Sequence, residues 1–388
     1  MSASRKKVAV AKELVPWWWT EIGQKELKGL EKAVRNRHIN AGPVCEQLQR
    51  RLAELLAVPH VVLTTSGSAA LLLSLLACGV GPGDEVILPA YTFIAAGHAA
   101  MLLGARVRLV DVRPDRPLMD AGQIEAAITN RTRVIVAVHT DGMACDVAAI
   151  NAVAARHGLK VVEDAAQAFA SRGPDGMLGT LGDAGAFSMG ITKLITTGEG
   201  GFVAAGNDQT HARLLKLRNH GVVAIADNVF DEFGFNFRFN DMLAGIGLAQ
   251  VQRLPERIEA VKQVYRFYCR QLKGLHYLKM IDVRLADGEL PLWSQAVCAD
   301  REKVVAMLRD RGIEARRFHP PLADSRHLDA AGDFPCARFF AAHGLILPSG
   351  TDQPLENLHR TVEALHDIAA VVKTPIGPAA IRQRGRKL

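Results

Sequence analysis

Three short segments of the sequence carry side chains whose types suit one kind of chemistry. Residues 64–69 join an apolar strand to a helix through small residues, and the N–H groups at such a helix start suit a phosphate. Residues 161–167 end a second apolar strand in two adjacent carboxylates. Residues 187–201 place Lys193 among apolar and small residues. A desolvated lysine is a nucleophilic amine that can form a Schiff base.

Each segment taken alone also has a simpler interpretation. Ser66 or Ser68 equally suits a helix N-cap, and Lys193 equally suits a surface loop. Glu163 and Asp164 equally suit solvated acids at a strand end, and only one of them can point into a given pocket. Together, an anion site, an acid and a lysine are the three groups that pyridoxal phosphate requires for its phosphate, its pyridine nitrogen and its aldehyde.

The elements that must position these groups alternate between apolar strands and helices. This alternation predicts a largely parallel sheet with helices on both faces, whose ligands collect at the carboxyl ends of the strands. From about residue 275 the pattern changes to short strands, which predicts a smaller C-terminal α/β domain. The predicted organisation is an N-terminal arm and helix (1–40), a large domain (41–255), a small domain (256–372) and a basic tail (373–388).

Composition and charge exclude several classes of protein. The 388 residues are 49% apolar and 22% charged, and no apolar run is long enough to span a bilayer. The net charge of +7 comes from residues 1–12 and 373–388, while the remainder holds 38 bases and 40 acids, so we expect no nucleic-acid partner. Those ends are interpreted as solvated tails, with a weak anionic partner as the alternative. Scattered cysteines and the lack of a CxxC or HExxH pattern predict a cytoplasmic protein without a metal site.

The same segments resemble the fold-type-I, pyridoxal-phosphate-dependent sugar aminotransferases of the DegT/DnrJ/EryC1/StrS family. The resemblance runs from about Trp17 to about Val372. Its most specific part is the lysine segment that ends in Thr-Gly-Glu-Gly-Gly at residues 197–201. The other matching segments are residues 66–71, 83–89, 91–93, 163–167, 182–188, 234–238 and 347–348.

The resemblance implies a role for each of several residues. Lys193 would hold the internal aldimine and then shuttle protons, and Asp164 would pair with the pyridine N–H. Gln167 would lie close to the ring and orient it. Phe93 would stack on the ring face, with core packing as the alternative. The phosphate would be held by Gly67, Ser68 and Ser188.

The resemblance also implies a homodimer with active sites at the interface. Asn236 would reach the phosphate site of the neighbouring subunit, although it equally suits the cap of a local turn. The small residues at positions 244, 245, 247 and 249 permit the close backbone approach that such an interface needs. The three tryptophans at 17–19 fall in the family's N-terminal arm and are interpreted as packing or dimer contact rather than substrate stacking.

The implied activity is amino transfer from an amino acid, glutamate or glutamine, to a nucleotide-linked keto sugar or a keto-cyclitol, through pyridoxamine phosphate. A non-catalytic regulatory protein on the same fold is one alternative. Lys193 disfavours a second, the sugar dehydratases of the family, which carry histidine there. Two positions depart from the family pattern: Gly190, where a polar residue is common, and Asp141, where an aromatic is common. Loops near 224–233 and 317–325 are expected to contact the acceptor.

Overall fold

A seven-stranded sheet forms the centre of the larger part of the molecule. The computed structural model describes residues 14–376 except 225, 227–229, 231 and 331. The predicted N-terminal tail therefore lies outside the described residues, and of the predicted C-terminal tail only residues 373–376 are described. The sheet order is β1-β9-β8-β5-β4-β2-β3, and every strand is parallel to the others except β9. The strands are β1 (His60–Thr64), β2 (Glu85–Pro89), β3 (Arg106–Val110), β4 (Thr132–Val138), β5 (Lys160–Asp164), β8 (Ala184–Ser188) and β9 (Gly201–Ala205). The predicted mostly parallel α/β sheet is confirmed.

Helices cover both faces of this sheet because its strands are apolar on both sides. Alternate strand residues enter different cores: Leu63 and Ile135 face one layer, whereas Val62 and Val134 face the other. A two-stranded hairpin, β6 (Arg172–Gly173) and β7 (Gly176–Met177), precedes β8. The helices of this part are α1 (Gln24–Arg35), α2 (Pro43–Leu56), α3 (Gly67–Ala77), α4 (Ala95–Leu102), α5 (Ile124–Ala127), α6 (Val147–His157), α7 (Asp208–Arg218) and α8 (Asp241–Gln252).

A second, antiparallel sheet forms the smaller part. Its order is β10-β11-β13-β12, with β10 (Leu278–Met280), β11 (Ser294–Cys298), β12 (Arg316–Arg317) and β13 (Gly344–Leu347). Its helices are α10 (Arg301–Arg309), α11 (Pro335–His343) and α12 (Leu355–Ala369). The long helix α9 (Leu254–Gln271) begins at the predicted domain boundary. Pro255 lies in its first turn, where a proline removes no helical hydrogen bond.

The small residues of α8 serve packing within the chain. A Cβ added to Gly245 would lie 2.7 Å from the carbonyl oxygen of Gly29 in α1, and one added to Gly247 would lie 2.8 Å from Leu48 Cδ2 in α2. Gly245 is required because the backbones of α1 and α8 approach directly, and Gly247 leaves room for the Leu48 side chain of α2. Gly245 and Gly247 therefore use the close approach for packing inside one chain, and the dimer interface stays a prediction.

The N-terminal arm runs against the smaller sheet. Val15 forms a β-bridge with Ile313, and Trp18 forms one with Ser349. The Trp19 N–H donates to the Ser349 carbonyl at 3.0 Å. The arm thus joins the first described residues to two late segments of the chain. Within the described residues no helix is long and apolar enough to cross a membrane.

Candidate active site

Lys193 lies in the loop that connects β8 to its antiparallel neighbour β9. The loop is closed at its base, where the Met189 N–H donates to the Gly200 carbonyl at 2.8 Å and the Thr197 N–H donates to the Met189 carbonyl at 3.0 Å. Gly198 has φ of 83°, a left-handed conformation that favours glycine in this turn. Because the two strands are hydrogen-bonded neighbours, both ends of the loop are fixed, and Lys193 is held just beyond the carboxyl end of β8.

Two indole rings hold the loop around Lys193. The Trp18 Nε1–H donates to the Ile191 carbonyl at 3.0 Å, and the Trp293 Nε1–H donates to the Thr192 carbonyl at 3.3 Å. The Lys193 Nζ lies 5.1 Å from the centroid of the Trp293 ring, which is within the range of a cation–π contact. The amine is therefore covered by the aromatic side chain of Trp293, which directly precedes β11 of the smaller sheet.

Burial lowers the pKa of Lys193 to about 8, although the charges of Asp164 and Asp141 act in the opposite direction. Desolvation disfavours the ammonium form, so the neutral and nucleophilic amine is available at a lower pH than for an ordinary lysine. This is the property that the sequence interpretation required of Lys193.

The two adjacent carboxylates at the end of β5 face opposite sides. Asp164 is buried and accepts a hydrogen bond from the Ala166 N–H at 3.1 Å. Burial raises the pKa of Asp164, against the hydrogen bond from Ala166 and the positive charge of Lys193. Strand β5 pairs in parallel with β8, so Asp164 and the start of the Lys193 loop both lie at the carboxyl ends of these neighbouring strands.

Glu163 instead binds the backbone of residues 179–182, in the segment between β7 and β8. Its Oε1 accepts from the N–H groups of Leu181 at 2.5 Å and Gly182 at 2.7 Å, and its Oε2 accepts from Gly179 at 2.8 Å. The His139 Nε2 lies 2.8 Å from the same Oε2. The N–H of Cys145 donates to His139 Nδ1, which places the His139 proton on Nε2, toward the carboxylate. Glu163 is therefore a buried structural acid.

The start of α3 meets the end of β8 without a side chain between them. A Cβ added to Gly67 would lie 2.7 Å from Ser188 Cβ, and one added to Gly201 would lie 2.5 Å from the Ser66 carbonyl. Ser66 caps the helix by accepting from the Ala69 N–H at 3.1 Å, while Ser68 is exposed. The helix start at Gly67 and the Ser188 hydroxyl consequently lie together, an arrangement that suits an anion, and the predicted role of Ser68 there stays a prediction.

The remaining predicted residues are placed as follows. Phe93 follows β2 with 48% of its surface exposed, and its ring contacts the edge of His319 at a centroid distance of 5.3 Å. The Gln167 Oε1 accepts from the backbone N–H of Asp141 at 2.8 Å. Within this chain, the Asn236 Oδ1 accepts from its near neighbour Arg238, with Nε at 3.2 Å. Phe93 is too exposed for a core residue.

Sequence reasoning assigned no role to several residues of the site. Asp141 was noted only as a departure from the family pattern, yet it is fully buried and its charge acts on Lys193. Trp293 lies 100 residues beyond Lys193 and belongs to no recognisable motif, so only the fold brings it to Lys193 and the local pattern contained no signal for it. His319 lies in the 317–325 loop that was expected to contact the acceptor, and it is near enough for the charge of Lys193 to act on it.

The residues that converge here fit pyridoxal phosphate. The site offers the desolvated amine of Lys193 and the carboxylate of Asp164, both at the carboxyl ends of neighbouring strands. It also offers the start of α3, where Gly67 leaves space because it has no Cβ. The half-exposed ring of Phe93, which contacts His319, adds an aromatic surface. Each of the three polar parts of the cofactor therefore has a chemically matched group.

Comparison with known proteins agrees with this chemistry. The model of the DegT/DnrJ/EryC1/StrS aminotransferase family matches residues 20–366. A GDP-perosamine synthase of Caulobacter vibrioides is 34% identical over 346 residues, which cover 85% of this chain and 91% of that protein. A second GDP-perosamine synthase, from Vibrio cholerae, is 28% identical over 347 residues, which cover 87% and 94%. A crystal structure of DesV from S. venezuelae matches with a TM-score of 0.87 and 28% identity, covering 93% of this chain and all of that one.

The chain belongs to the DegT/DnrJ/EryC1/StrS aminotransferase family. It is a sugar aminotransferase of fold type I whose cofactor is pyridoxal 5′-phosphate. The family, fold class, enzyme class and cofactor inferred from the sequence are thereby confirmed.

Proposed function

We propose that this enzyme moves an amino group from glutamate or glutamine to the keto group of a nucleotide-linked sugar, with Lys193 as the reacting amine. The observation that carries the proposal is the environment of Lys193, whose amine is desolvated beside Asp164 at the edge of the sheet where α3 begins. The two relatives named GDP-perosamine synthase support a nucleotide-linked acceptor.

The proposed roles follow from these positions. Pyridoxal phosphate, when bound, supplies a ring that withdraws electrons from the carbon bearing the transferred nitrogen. Lys193 holds the cofactor through its amine and then takes and returns the proton at the substrate carbon. Asp164 keeps the proton on the ring nitrogen, and Gln167 and Phe93 orient the ring. The phosphate is held by Gly67, Ser68 and Ser188.

The first experiment tests Lys193 as the attachment point. The cofactor-loaded protein is reduced with borohydride, digested and mapped by mass spectrometry. We expect the cofactor on the Lys193 peptide, no adduct in Lys193→Ala, and a normal adduct in Lys279→Ala, which changes an exposed lysine of β10. A cofactor adduct on another lysine contradicts the proposal.

The second experiment tests the acceptor class. Protein loaded with pyridoxamine phosphate is mixed with nucleotide-linked keto sugars, free keto sugars and keto-cyclitols, and the products are identified by mass spectrometry. We expect an aminated nucleotide-linked sugar. Amination of only a keto-cyclitol would correct the acceptor, and a protein that binds the cofactor but aminates none of them and is not converted by glutamate would be a binding protein.

We also propose that the active site is completed across a homodimer. The segment around Asn236 exposes large aromatic side chains, with Phe233 68% and Phe235 59% exposed. Such exposed apolar surface is typical of interaction sites. Sedimentation at micromolar protein is expected to show a dimer, and Asn236→Ala is expected to weaken cofactor binding while the dimer persists. A fully active monomer contradicts the shared site.

A further inference from the structure

Asp141 has an unusual environment for a carboxylate. It is completely buried in the turn after β4, with φ of 54°. Its backbone N–H donates to Gln167 Oε1 at 2.8 Å, and its Oδ1 accepts from the Trp293 N–H at 2.5 Å. Its Oδ2 has no hydrogen-bond partner anywhere in the described part of the chain. A buried polar atom left unpaired is rare in proteins and calls for a functional explanation.

Trp293 links Asp141 to Lys193. The backbone N–H of Trp293 is held by Asp141, while its indole N–H is held by the Thr192 carbonyl next to Lys193. The indole ring then lies 5.1 Å from the Lys193 amine. Asp141 therefore fixes the backbone of the residue whose side chain covers the amine.

The charges around Lys193 come from few groups. The carboxylates that act on its amine are Asp164 and Asp141. Burial raises the pKa of Asp141 well above its usual range, against the hydrogen bond from Trp293 and the positive charge of Lys193. Under the proposed function Asp164 pairs with the cofactor ring nitrogen, which leaves Asp141 as the second carboxylate whose charge acts on the amine. Other titratable groups interact electrostatically with these three residues. They are Glu289 and Tyr91 with Asp141, His319 with Lys193, and His139 with Asp164.

We propose that Asp141 is a positioning residue for Lys193: it holds the Trp293 indole against the amine and supplies the carboxylate that remains beside the amine when Asp164 is engaged by the cofactor. The inference deepens the proposed function and rests on it only where the cofactor is present. Asp141 undergoes no covalent change in this role. It determines how firmly the lysine amine holds a proton, against the burial that favours the neutral amine.

The proposal is tested by measuring the pKa of the Lys193 amine itself. Competitive labelling with trace acetic anhydride between pH 6 and 10 is followed by mass spectrometry of the Lys193 peptide, in cofactor-free protein and in protein loaded with pyridoxamine phosphate. The wild-type value in cofactor-free protein is expected near 8. Asp141→Asn keeps the acceptor for Trp293 and tolerates a positive φ, but loses the charge. We expect it to lower the Lys193 pKa by about 1 unit in both forms, because an opposite charge nearby favours the ammonium.

Two further variants separate charge from structure. Trp293→Ala uncovers the amine, so we expect the Lys193 pKa to rise toward that of an exposed lysine. Asp175→Asn removes an exposed charge in the β6–β7 turn and should leave the value unchanged. If Asp141 only maintained the local structure, Asp141→Asn, which keeps the acceptor for the Trp293 N–H, would leave the Lys193 pKa unchanged.

Each outcome decides the proposal. A rise or no change in the Lys193 pKa of Asp141→Asn overturns it, and so does a fall that disappears when pyridoxamine phosphate is bound. Loading with pyridoxal phosphate is the separate check on the proposed function. Bound pyridoxal phosphate should block labelling of Lys193. Equal labelling with and without pyridoxal phosphate would refute Lys193 as the attachment point. The pKa measured in cofactor-free protein does not depend on that result and still tests the role of Asp141.

Discussion

Changing each of the two neighbouring carboxylates of β5 to its amide is expected to give opposite phenotypes. Asp164→Asn keeps an acceptor for the Ala166 N–H and removes a charge whose burial raises the pKa of the carboxyl. We therefore expect the free energy of unfolding to change by less than about 1 kcal/mol. The rate of the half-reaction should fall about a hundredfold, because losing one preorganised charge in a water-excluded site costs about 3 kcal/mol of transition-state stabilisation.

Glu163→Gln is expected to damage stability instead. The glutamine oxygen can replace Oε1, which accepts from Leu181 and Gly182, but its NH₂ group would face the Gly179 N–H and the His139 Nε2–H. Two hydrogen bonds to a charged acceptor would be lost, at about 1.5–3 kcal/mol each. The expected loss is about 3–6 kcal/mol of unfolding free energy, a large fraction of the 5–15 kcal/mol typical of proteins.

The assay pairs stopped-flow absorbance of the half-reaction with glutamate and denaturant unfolding of the cofactor-free protein. Asp146→Asn, which changes an acid that caps α6 away from the site, is the control for loss of a carboxylate. The assignment would be refuted if Asp164→Asn reacted at nearly the wild-type rate while a stable Glu163→Gln lost the half-reaction.

Three further predictions concern the start of α3 at Gly67, the amine of Lys193 and the N-terminal arm. Gly67→Ala places a Cβ 2.7 Å from Ser188 Cβ, and such overpacking costs about 1–3 kcal/mol. Cofactor affinity measured by equilibrium dialysis should therefore fall about five- to 150-fold. Gly81→Ala has open space around it and should leave the affinity unchanged. Cofactor capture by the cofactor-free protein should accelerate about tenfold per pH unit up to pH 8 and then level off, because burial lowers the Lys193 pKa to about 8 and the neutral amine reacts; a flat stopped-flow profile would contradict this. Arg257→Met removes a buried guanidinium that donates to Thr20 at 2.9 Å and Thr351 at 2.7 Å, and should lower the unfolding free energy by about 3 kcal/mol and speed protease cleavage of the arm, with unchanged cleavage as the contrary result.

The sequence predicted those parts of the site that are local in the chain. Lys193, Asp164 and Gly67 each lie within a short segment whose pattern of small, apolar and charged residues reflects one turn at the end of one strand. The alternation of strand residues also predicts that Glu163 and Asp164 point to opposite faces. Their mutual placement follows from the parallel sheet, which the alternation of strands and helices indicates.

The groups that the sequence did not reveal act across long separations. Trp293 approaches Lys193 only because the smaller sheet packs against the lysine loop, and no periodicity encodes that arrangement. Asp141 adopts a left-handed backbone and accepts from Trp293, 152 residues away. The glycines of α8 show the opposite limitation, since a pattern that permits close approach does not say which helix approaches.

The N-terminal arm has a consequence for the order in which the enzyme is completed during synthesis. The arm emerges from the ribosome early, but its partners near Ile313 and Ser349 are made late, and Thr20 meets Thr351 across 331 residues. At about 5–20 residues per second this interval lasts about 15–65 seconds. Until then Trp18 has no fixed position over the lysine loop, although the large sheet is already complete. The nascent protein therefore passes through a period in which Lys193 exists without its cover, and under the proposed function we expect productive capture of the cofactor to be one of the last steps of its biogenesis.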